Sequence, residues 1–379
     1  MKYPDEWQGT IPESLHQVKT GQMQVTVNAF HSLAWIGHFG FPVWKPFEKL
    51  QVRDVACGTG ENSIVSALVH SGAQYLLADA DAESLAQSRL YVEQLGLSNV
   101  RFAVDTTTND GEAAAETKLA DIILCTRPLN QIDDLVDRLR EWSSQLAPGG
   151  VIELQCDTDP TSNGIKAARE RINYRIEAES QTLVDSVWIE LQSAEKPGEW
   201  TIPYLTTLVE GAGLKILAFL HPQMYDPRVY LPEAGELLQQ RLQGASLIEQ
   251  AMLAEILAGG IRRHTILCVP LDDKRRMPTL DDADLRSLIP FRSPYAELRR
   301  ENGQVFFQVE RWALPINDAV PMGEVCAPES MAAIYSAIDG KKTFEQLHRR
   351  FLPLPWDVFL HFMKLLAENG LLHLHREEK

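Results

Sequence analysis

Cysteine is scarce in this sequence, and its spacing excludes two kinds of stabilising site. The five cysteines are odd in number and widely separated, and no two of them form a Cys-x-x-Cys pair. This usage argues against a disulfide framework and against a structural zinc site. Four of them lie in or beside apolar runs, where we expect small buried side chains: Cys57, Cys125, Cys156 and Cys268. No other cluster of metal-ligating residues is present, so we expect no metal.

Long apolar runs are also absent. No run reaches the roughly 18 residues that a membrane-spanning helix needs. The opening "MKYPDEWQGT" carries acids and a proline, where a secretory signal requires a basic start and an apolar stretch. We therefore expect a cytoplasmic protein that does not enter a membrane.

Positive charge is in deficit. The formal net charge is −16, whereas a large contact with nucleic acid needs a basic face that displaces counterions. The compact basic cluster "DDKRRM" at 272–277 is more typical of a solvated linker. Nucleic acid is thus a disfavoured partner.

What the chain does contain is a regular alternation of strand and helix patterns from residue 51. The strand patterns are "VRDVAC", "QYLLADA", "VRFAVD", "ADIILCTRP", "VIELQCD", "LKILAFLHP" and "RRHTILCVP". Helical patterns separate most of them, and "APGG" before the fifth strand is typical of a turn. The alternation predicts an α/β fold with an open, mostly parallel sheet and right-handed crossovers.

The rest of the chain divides around this core, which we place at 51–270. Residues 1–50 are predicted to be a helical lead-in that caps the active site, and about 160–200 a helical insertion. "GELLQQRLQGASLIEQAMLAEILAGG" is predicted to be helical. A linker is expected at 271–290. Residues 291–379 read as a small α+β domain, with a strand, three helices and a closing strand.

The first strand runs into a glycine turn, "VRDVACGTGENSI", at 52–64. In an open α/β sheet, ligands bind beyond the carboxyl ends of the strands, where strand order reverses. A glycine-rich turn there presents backbone N–H groups and a helix N-terminus. The spacing of Gly58 and Gly60 matches neither a dinucleotide GxGxxG fingerprint nor a P-loop.

The turn resembles motif I of class I S-adenosylmethionine-dependent methyltransferases, an acid followed by GxGxG. It departs from that motif at Ala56, where the first glycine would stand. Asp79, at the end of the second strand, resembles the family acid that accepts both ribose hydroxyls. Asp105 resembles the acid near the adenine amino group, and "LAPGGVIEL" resembles the turn into strand five.

This resemblance implies a Rossmann-like methyltransferase sheet that binds S-adenosylmethionine and releases S-adenosylhomocysteine. The cofactor residues that it implies are Asp54, Ala56, Cys57, Gly58, Thr59, Gly60, Asp79, Ala80, Asp105, Thr106 and Thr126. Structural alternatives stand beside three of them. Asp79 could cap a helix unless Asp81 or Ser84 does so, Asp105 could be a solvated turn acid, and Asp54 could merely hold the loop.

The methyl acceptor is less well specified. In-line methyl transfer needs positioning above all, and a base only when the acceptor must lose a proton. Acceptor residues in this family come from the lead-in, the loop after strand four and the region after strand five. The catalytic candidates are His31, Arg127, Glu153, Asp157 and Tyr204. "TRPL" at 126–129 lacks the acid or Asn followed by Pro-Pro and an aromatic of DNA-adenine and glutamine methyltransferases.

The C-terminal half adds a finer resemblance. The stretch from "YDPRVYLPEAGELLQQRLQ" to "GGIRRHTI" is similar to methyltransferases that carry an appended regulatory domain, including enzymes that modify Lys or Asn of polypeptides. Residues 291–379 resemble a winged-helix-like module. The resemblance implies N-methylation of a protein or peptide side chain, with peptide docking or dimerisation as the use of the module. Two alternatives stay open: a small-molecule methyltransferase, and a non-catalytic regulatory protein, which Ala56 favours.

Overall fold

The computed structural model describes most of the chain from residue 49 onward. The described residues are 49–69, 71–104, 119–125, 127–158, 200–220, 222–230, 242, 244–259, 261–278, 280, 283–292, 296–309, 325–369 and 371–375. The predicted lead-in at 1–50, apart from its last two residues, and the helical insertion at about 160–200, apart from residue 200, lie outside them.

The first part of the described chain carries seven strands and six helices. The strands are β1 (Gln51–Val55), β2 (Gln74–Asp79), β3 (Val100–Val104), β4 (Ala120–Cys125), β5 (Leu146–Asp157), β6 (Leu214–Phe219) and β7 (Arg263–Pro270). The helices are α1 (Glu61–Val69), α2 (Ala82–Gln94), α3 (Leu135–Ser144), α4 (Ile202–Gly211), α5 (Pro227–Tyr230) and α6 (Leu247–Ala258), with short 3-10 helices at Leu129–Gln131 and Pro222–Tyr225.

These strands form one sheet in the order β3-β2-β1-β4-β5-β7-β6. The pairs β1–β2, β2–β3, β1–β4 and β4–β5 are parallel, as the strand–helix alternation predicted. Strand order reverses between β1 and β4, so the carboxyl end of β1 lies at the switch point where open α/β sheets bind ligands. The glycine turn follows β1 at that place.

Burial explains why the central strands read as continuous apolar runs. All six residues of β4 are buried, including Asp121, whose carboxylate accepts the Gln51 N–H at 2.8 Å. β1 buries Val52, Asp54 and Val55. A strand covered on both faces has no solvent side to carry polar residues, so acids in these strands require a specific reason.

The rest of the described chain forms two smaller sheets and three helices. β9 (Ala296–Glu301), β10 (Gln304–Val309) and β11 (Val325–Pro328) pair antiparallel, and β8 (Ile289–Arg292) pairs antiparallel with β12 (Leu372–His375). The helices are α7 (Glu329–Ala337), α8 (Phe344–Arg349) and α9 (Trp356–Glu368), after a 3-10 helix at Leu285–Ser287. The three helices and the closing strand match the sequence prediction, whereas β8, β9 and β11 were not predicted.

By contacts, the chain divides into two compact units. The first comprises residues 1–156, 211–216 and 265–274; the second comprises 157–210, 217–264 and 275–379. In the second unit, Phe307 packs edge-on against Phe362, with ring centroids 5.9 Å apart, and Phe344 against Phe359 at 6.2 Å. Such aromatic pairs form a core within the C-terminal segment.

Two local predictions were wrong. "APGG" is not a turn between elements but part of β5, where Gly149 adopts a φ of 77° and the pairing with β4 shifts register between Ala120 and Ile122. The two glycines therefore lie within the strand, at a β-bulge. The stretch 235–260, predicted to be helical throughout, is not helical at 245–246, because Ser246 caps α6 through a capping box with Glu249.

Three of the four cysteines that were predicted to be buried are buried. Cys125, Cys156 and Cys268 are buried, Cys57 is half-buried, and Cys326 is exposed; none of the five forms a disulfide. Burial raises the pKa of the Cys125 and Cys268 thiols above their ordinary value, so neither is a thiolate at neutral pH. No helix in the described ranges combines the length and apolar character that crossing a bilayer requires.

Candidate functional site

The turn after β1 has an unusual backbone. Ala56, Gly58 and Gly60 all adopt positive φ, at 51°, 57° and 65°. The Cys57 N–H donates to the Ala78 carbonyl at 3.1 Å, which ties the turn to β2. Glycine takes this conformation freely, whereas alanine pays about 1–2 kcal/mol. Ala56 therefore stands where the methyltransferase motif has glycine, and it is strained there.

The two glycines of the turn serve different purposes. A Cβ on Gly60 would lie 2.3 Å from Leu77 Cδ2, so Gly60 allows the turn to pack on β2. A Cβ on Gly58 would meet no atom of the described residues within 4 Å. Gly58 thus leaves its space open at the carboxyl end of β1, as a turn that cradles a ligand requires.

Asp79 is fixed beside this open space. It is buried at the end of β2, and its Oδ2 accepts the Gly58 N–H at 2.6 Å while Oδ1 accepts the Asp81 N–H at 2.9 Å. The N-cap of α2 is Asp81, whose carboxylate accepts the N–H groups of Glu83 and Ser84. Asp79 is therefore not the N-cap of α2, which was the structural alternative for this residue. It is instead a buried carboxylate at the edge of the sheet where the strands end.

A cation from the loop after β4 reaches the same carboxylate. Arg127 Nη2 lies 3.2 Å from Asp79 Oδ2. The Arg127 side chain is 39% exposed, whereas that of Asp79 is 2% exposed. Arg127, a candidate for the acceptor site, thus contacts the acid that resembles the ribose-binding residue.

Asp54 is the second buried acid of the site. Its Oδ2 accepts the Ser63 hydroxyl of α1 at 2.5 Å, and its Oδ1 is buried without a hydrogen-bond partner among the described residues. Burial raises the pKa of Asp54 from 3.8 to about 7; the Ser63 bond opposes this shift and the nearby Asp79 charge adds to it. An orphaned buried carboxylate oxygen is costly, and it fits a donor brought by a ligand.

The remaining cofactor candidates line the same edge or lie outside the described residues. Cys57 and Thr59 are half-buried in the turn, and Ala80 is exposed just after β2. Asp105, Thr106 and Thr126 fall outside the described ranges.

The other catalytic candidates are divided between the two compact units and the part of the chain outside the described residues. Glu153 is buried in β5, and its Oε1 lies 3.5 Å from Gln155 Nε2. Asp157 and Tyr204 belong to the second compact unit, where Asp157 accepts Arg263 Nε at 2.5 Å and the Tyr204 ring stands edge-on to Trp200. His31 lies outside the described residues.

Sequence reasoning missed two groups. Ser63 is one ordinary serine on a predicted helix, and only the fold shows that it faces Asp54. The second group is a buried chain in the second unit. Tyr225 Oη lies 3.0 Å from His264 Nδ1, and His264 Nε2 lies 2.9 Å from Glu255 Oε1. Tyr225 lies 39 positions from His264, and Glu255 lies nine positions from it on another element, so no local pattern could have found them.

Comparison with known proteins agrees with this geometry. Residues 46–192 match a family model described as a methyltransferase domain. Two curated relatives are ubiquinone biosynthesis O-methyltransferases: that of Chelativorans sp. (strain BNC1) is 29% identical over 109 residues, which is 28% of this chain and 40% of the relative. That of Parvibaculum lavamentivorans is 29% identical over 118 residues, 30% of this chain and 44% of the relative. The match thus spans less than half of either relative.

Among solved structures, PKMT2 from Rickettsia typhi in complex with AdoHcy superposes over 91% of this chain and 75% of its own, with a TM-score of 0.59 and 13% identity. At this identity the likeness concerns the fold. The sheet order, the glycine turn with its two buried acids and the family match agree on a class I methyltransferase fold for the described part of residues 46–192. The same family match supports S-adenosylmethionine as the cofactor.

Proposed function

We propose that this protein transfers the methyl group of S-adenosylmethionine to a nitrogen of a polypeptide side chain. Cofactor binding, the first part of this proposal, rests on one observation. Asp79 lies beside Gly58, where the missing Cβ leaves open space. A buried carboxylate held by two backbone N–H groups keeps its position. A vicinal diol can donate to such a carboxylate, and the missing Cβ of Gly58 leaves room for the rest of the ligand.

The residues of the turn fit the cofactor in two further respects. Asp79 would hold the ribose, and the orphaned Oδ1 of Asp54 would accept from the ammonium of the methionine part. When bound, S-adenosylmethionine supplies an electrophilic methyl group on a sulfonium. The protein's part is to hold the acceptor in line with that methyl group at near-attack distance and to exclude water from the approach.

For the acceptor we infer an Asn amide or a Lys amine. A Lys ammonium must lose a proton before it can attack, and burial beside a positive charge lowers its pKa. An Asn amide is a poor nucleophile and needs orientation by a carboxylate or a phenol. The residues proposed for these tasks are His31, Arg127, Glu153, Asp157 and Tyr204, of which Glu153 is a buried carboxylate on β5.

A polypeptide substrate would also give a use to residues 291–379, which lie beyond the methyltransferase match. This segment has aromatic pairs of its own, such as Phe307 with Tyr335 at 4.7 Å between ring centroids. We propose that it is a winged-helix-like module that follows a linker at 271–290 and recognises the substrate or a second copy of the chain in the cytoplasm. The methyltransferase core proposed here remains 51–270.

A small-molecule acceptor is the second candidate. The names of the two curated relatives place them in ubiquinone biosynthesis as O-methyltransferases. In that case the C-terminal segment would have no role in turnover. A non-catalytic regulatory protein is a third reading, and the strained Ala56 is its support.

The test of the cofactor site is calorimetric binding of S-adenosylmethionine and S-adenosylhomocysteine to the native chain and to Asp79→Asn. The variant keeps the shape of the side chain but loses the charge that strengthens hydrogen bonds from the ribose. A lost charged hydrogen bond corresponds to about a 10–100-fold weaker binding. We expect both ligands to weaken by that factor.

Asp81→Asn is the matched control, since Asp81 is an exposed acid two positions away that caps α2. It should bind both ligands as the native chain does. Equal binding by native protein and Asp79→Asn would refute the site, and no binding by the native chain would refute the function. Mass spectrometry of a cytoplasmic extract incubated with labelled cofactor then separates polypeptide from small-molecule acceptors.

A further inference from the structure

Donors among the described residues already occupy most of the hydrogen-bond acceptor positions of Asp79, which leaves too few for the two hydroxyls of a ribose. A carboxylate offers about four acceptor positions, two on each oxygen. Oδ2 accepts from the Gly58 N–H at 2.6 Å and from Arg127 Nη2 at 3.2 Å, and Oδ1 accepts from the Asp81 N–H at 2.9 Å. One acceptor position therefore remains, whereas two vicinal hydroxyls donate two hydrogen bonds.

One of the three present donors must give way, and their surroundings decide which. The Gly58 and Asp81 N–H groups are backbone donors fixed by the turn and by the start of α2. The Arg127 bond is the longest of the three and comes from a side chain that is 39% exposed. A guanidinium that loses this bond regains water at once, whereas a backbone N–H would be left buried and unsatisfied. Arg127 is the donor that can leave at the lowest cost.

We propose that Arg127 competes with the cofactor's ribose for Asp79, so that cofactor binding releases the guanidinium from the carboxylate. This inference rests on the proposed cofactor role of Asp79. It makes Arg127 a positioning residue that holds the ribose acid in place and lowers the affinity for any cis-diol. It also accounts for a cation beside a binding site whose ligand already carries a sulfonium.

The experiment uses adenosine and 2′,3′-dideoxyadenosine, which differ only in the two hydroxyls. Binding is measured by calorimetry at pH 8 with the full-length chain and with Arg127→Ala, Arg127→Lys and Arg138→Ala. An ion pair of this exposure corresponds to about a fivefold change in binding. We expect Arg127→Ala to bind adenosine about fivefold more tightly and dideoxyadenosine as the native chain does.

Three controls sharpen the outcome. Arg127→Lys keeps the charge and should resemble the native chain, and Arg138→Ala removes an arginine that pairs with Glu141 instead. Raising the salt concentration screens ion pairs, so it should tighten adenosine binding to the native chain and leave Arg127→Ala unchanged. Thermal unfolding checks that each variant is folded.

The outcomes separate this inference from the function on which it rests. If the native chain binds adenosine but Arg127→Ala binds it equally or more weakly, the competition is refuted and the cofactor site stands. If Arg127→Ala tightens binding of both nucleosides alike, the effect is general electrostatics and the competition is again refuted. If the native chain binds neither adenosine nor S-adenosylhomocysteine, both proposals fail together.

Discussion

Asp54 shows how one residue can be costly to the fold and useful to the site. Its carboxylate is buried at the end of β1, where one oxygen accepts from Ser63 and the other has no partner among the described residues. Leaving a buried polar atom unsatisfied costs about 1–3 kcal/mol. The strain at Ala56, two residues later, adds to that cost. Functional sites are where such local costs are tolerated.

The raised pKa of Asp54 predicts how folding depends on pH. The folded chain keeps the Asp54 proton up to about pH 7, whereas the unfolded chain loses it near the ordinary value of 3.8. Unfolding therefore releases a proton between these values, and the free energy of unfolding falls as the pH rises from about 4 to about 7. Asp54→Asn has no carboxyl group to ionise, so its free energy of unfolding should not fall in this way. At pH 8 it should therefore unfold at a higher temperature than the native chain.

The same ionisation predicts the pH dependence of cofactor binding. An ammonium requires the charged carboxylate, so native affinity for S-adenosylhomocysteine should fall below pH 7 by up to about tenfold per pH unit. Asp54→Asn should bind more weakly at pH 8 and show little pH dependence. Calorimetry between pH 5.5 and 8 measures both. A slope that survives in the variant would assign the titration to a group other than Asp54.

At the scale of elements, the second unit depends on a buried hydrogen-bonded chain. Glu255 of α6 binds His264 of β7 through Oε1 and accepts the Ile202 N–H at the start of α4 through Oε2, at 3.1 Å. Tyr225 completes the chain at His264 and stacks on Phe219, with ring centroids 3.9 Å apart. Residues from four elements of one unit thus belong to a single hydrogen-bonded chain, which favours one packing of the unit.

Glu255→Ala tests this chain. It leaves the Ile202 N–H and His264 buried without their acceptor, and we expect a loss of about 3–5 kcal/mol in the free energy of unfolding, measured by urea denaturation. Tyr225→Phe removes only the outer bond and should cost about 1 kcal/mol. Glu249→Ala, an exposed change in the capping box of the same helix, should likewise cost about 1 kcal/mol. Equal effects of Glu255→Ala and Glu249→Ala would show that the chain does not hold the unit together.

The sequence predicted elements and the cofactor turn better than it predicted irregular pairings. β1, β2, β4 and β5 could be predicted because buried parallel strands read as apolar runs between helical patterns. The acids at 54 and 79 could be identified because the motif fixes their spacing. The bulge at Gly149 could not, since Gly-Gly after Pro signals a turn equally well. Arg127 was assigned to the acceptor, because only the fold places the loop after β4 beside β2.

At the scale of the whole molecule, the question is whether residues 285–379 serve the chemistry or the substrate. The segment carries its own aromatic pairs, and the Phe344 N–H donates to the Leu288 carbonyl within it, while the acids that we assign to the cofactor precede it by far in the chain. Deletion of 285–379 should therefore leave the calorimetric affinity for S-adenosylhomocysteine within about twofold of that of the native chain. Turnover on a polypeptide, measured as release of S-adenosylhomocysteine, should fall. A small-molecule acceptor predicts that turnover also persists. Parallel loss of binding and turnover would mean that the segment is part of the catalytic core, and circular dichroism of the shortened chain separates that result from failure to fold.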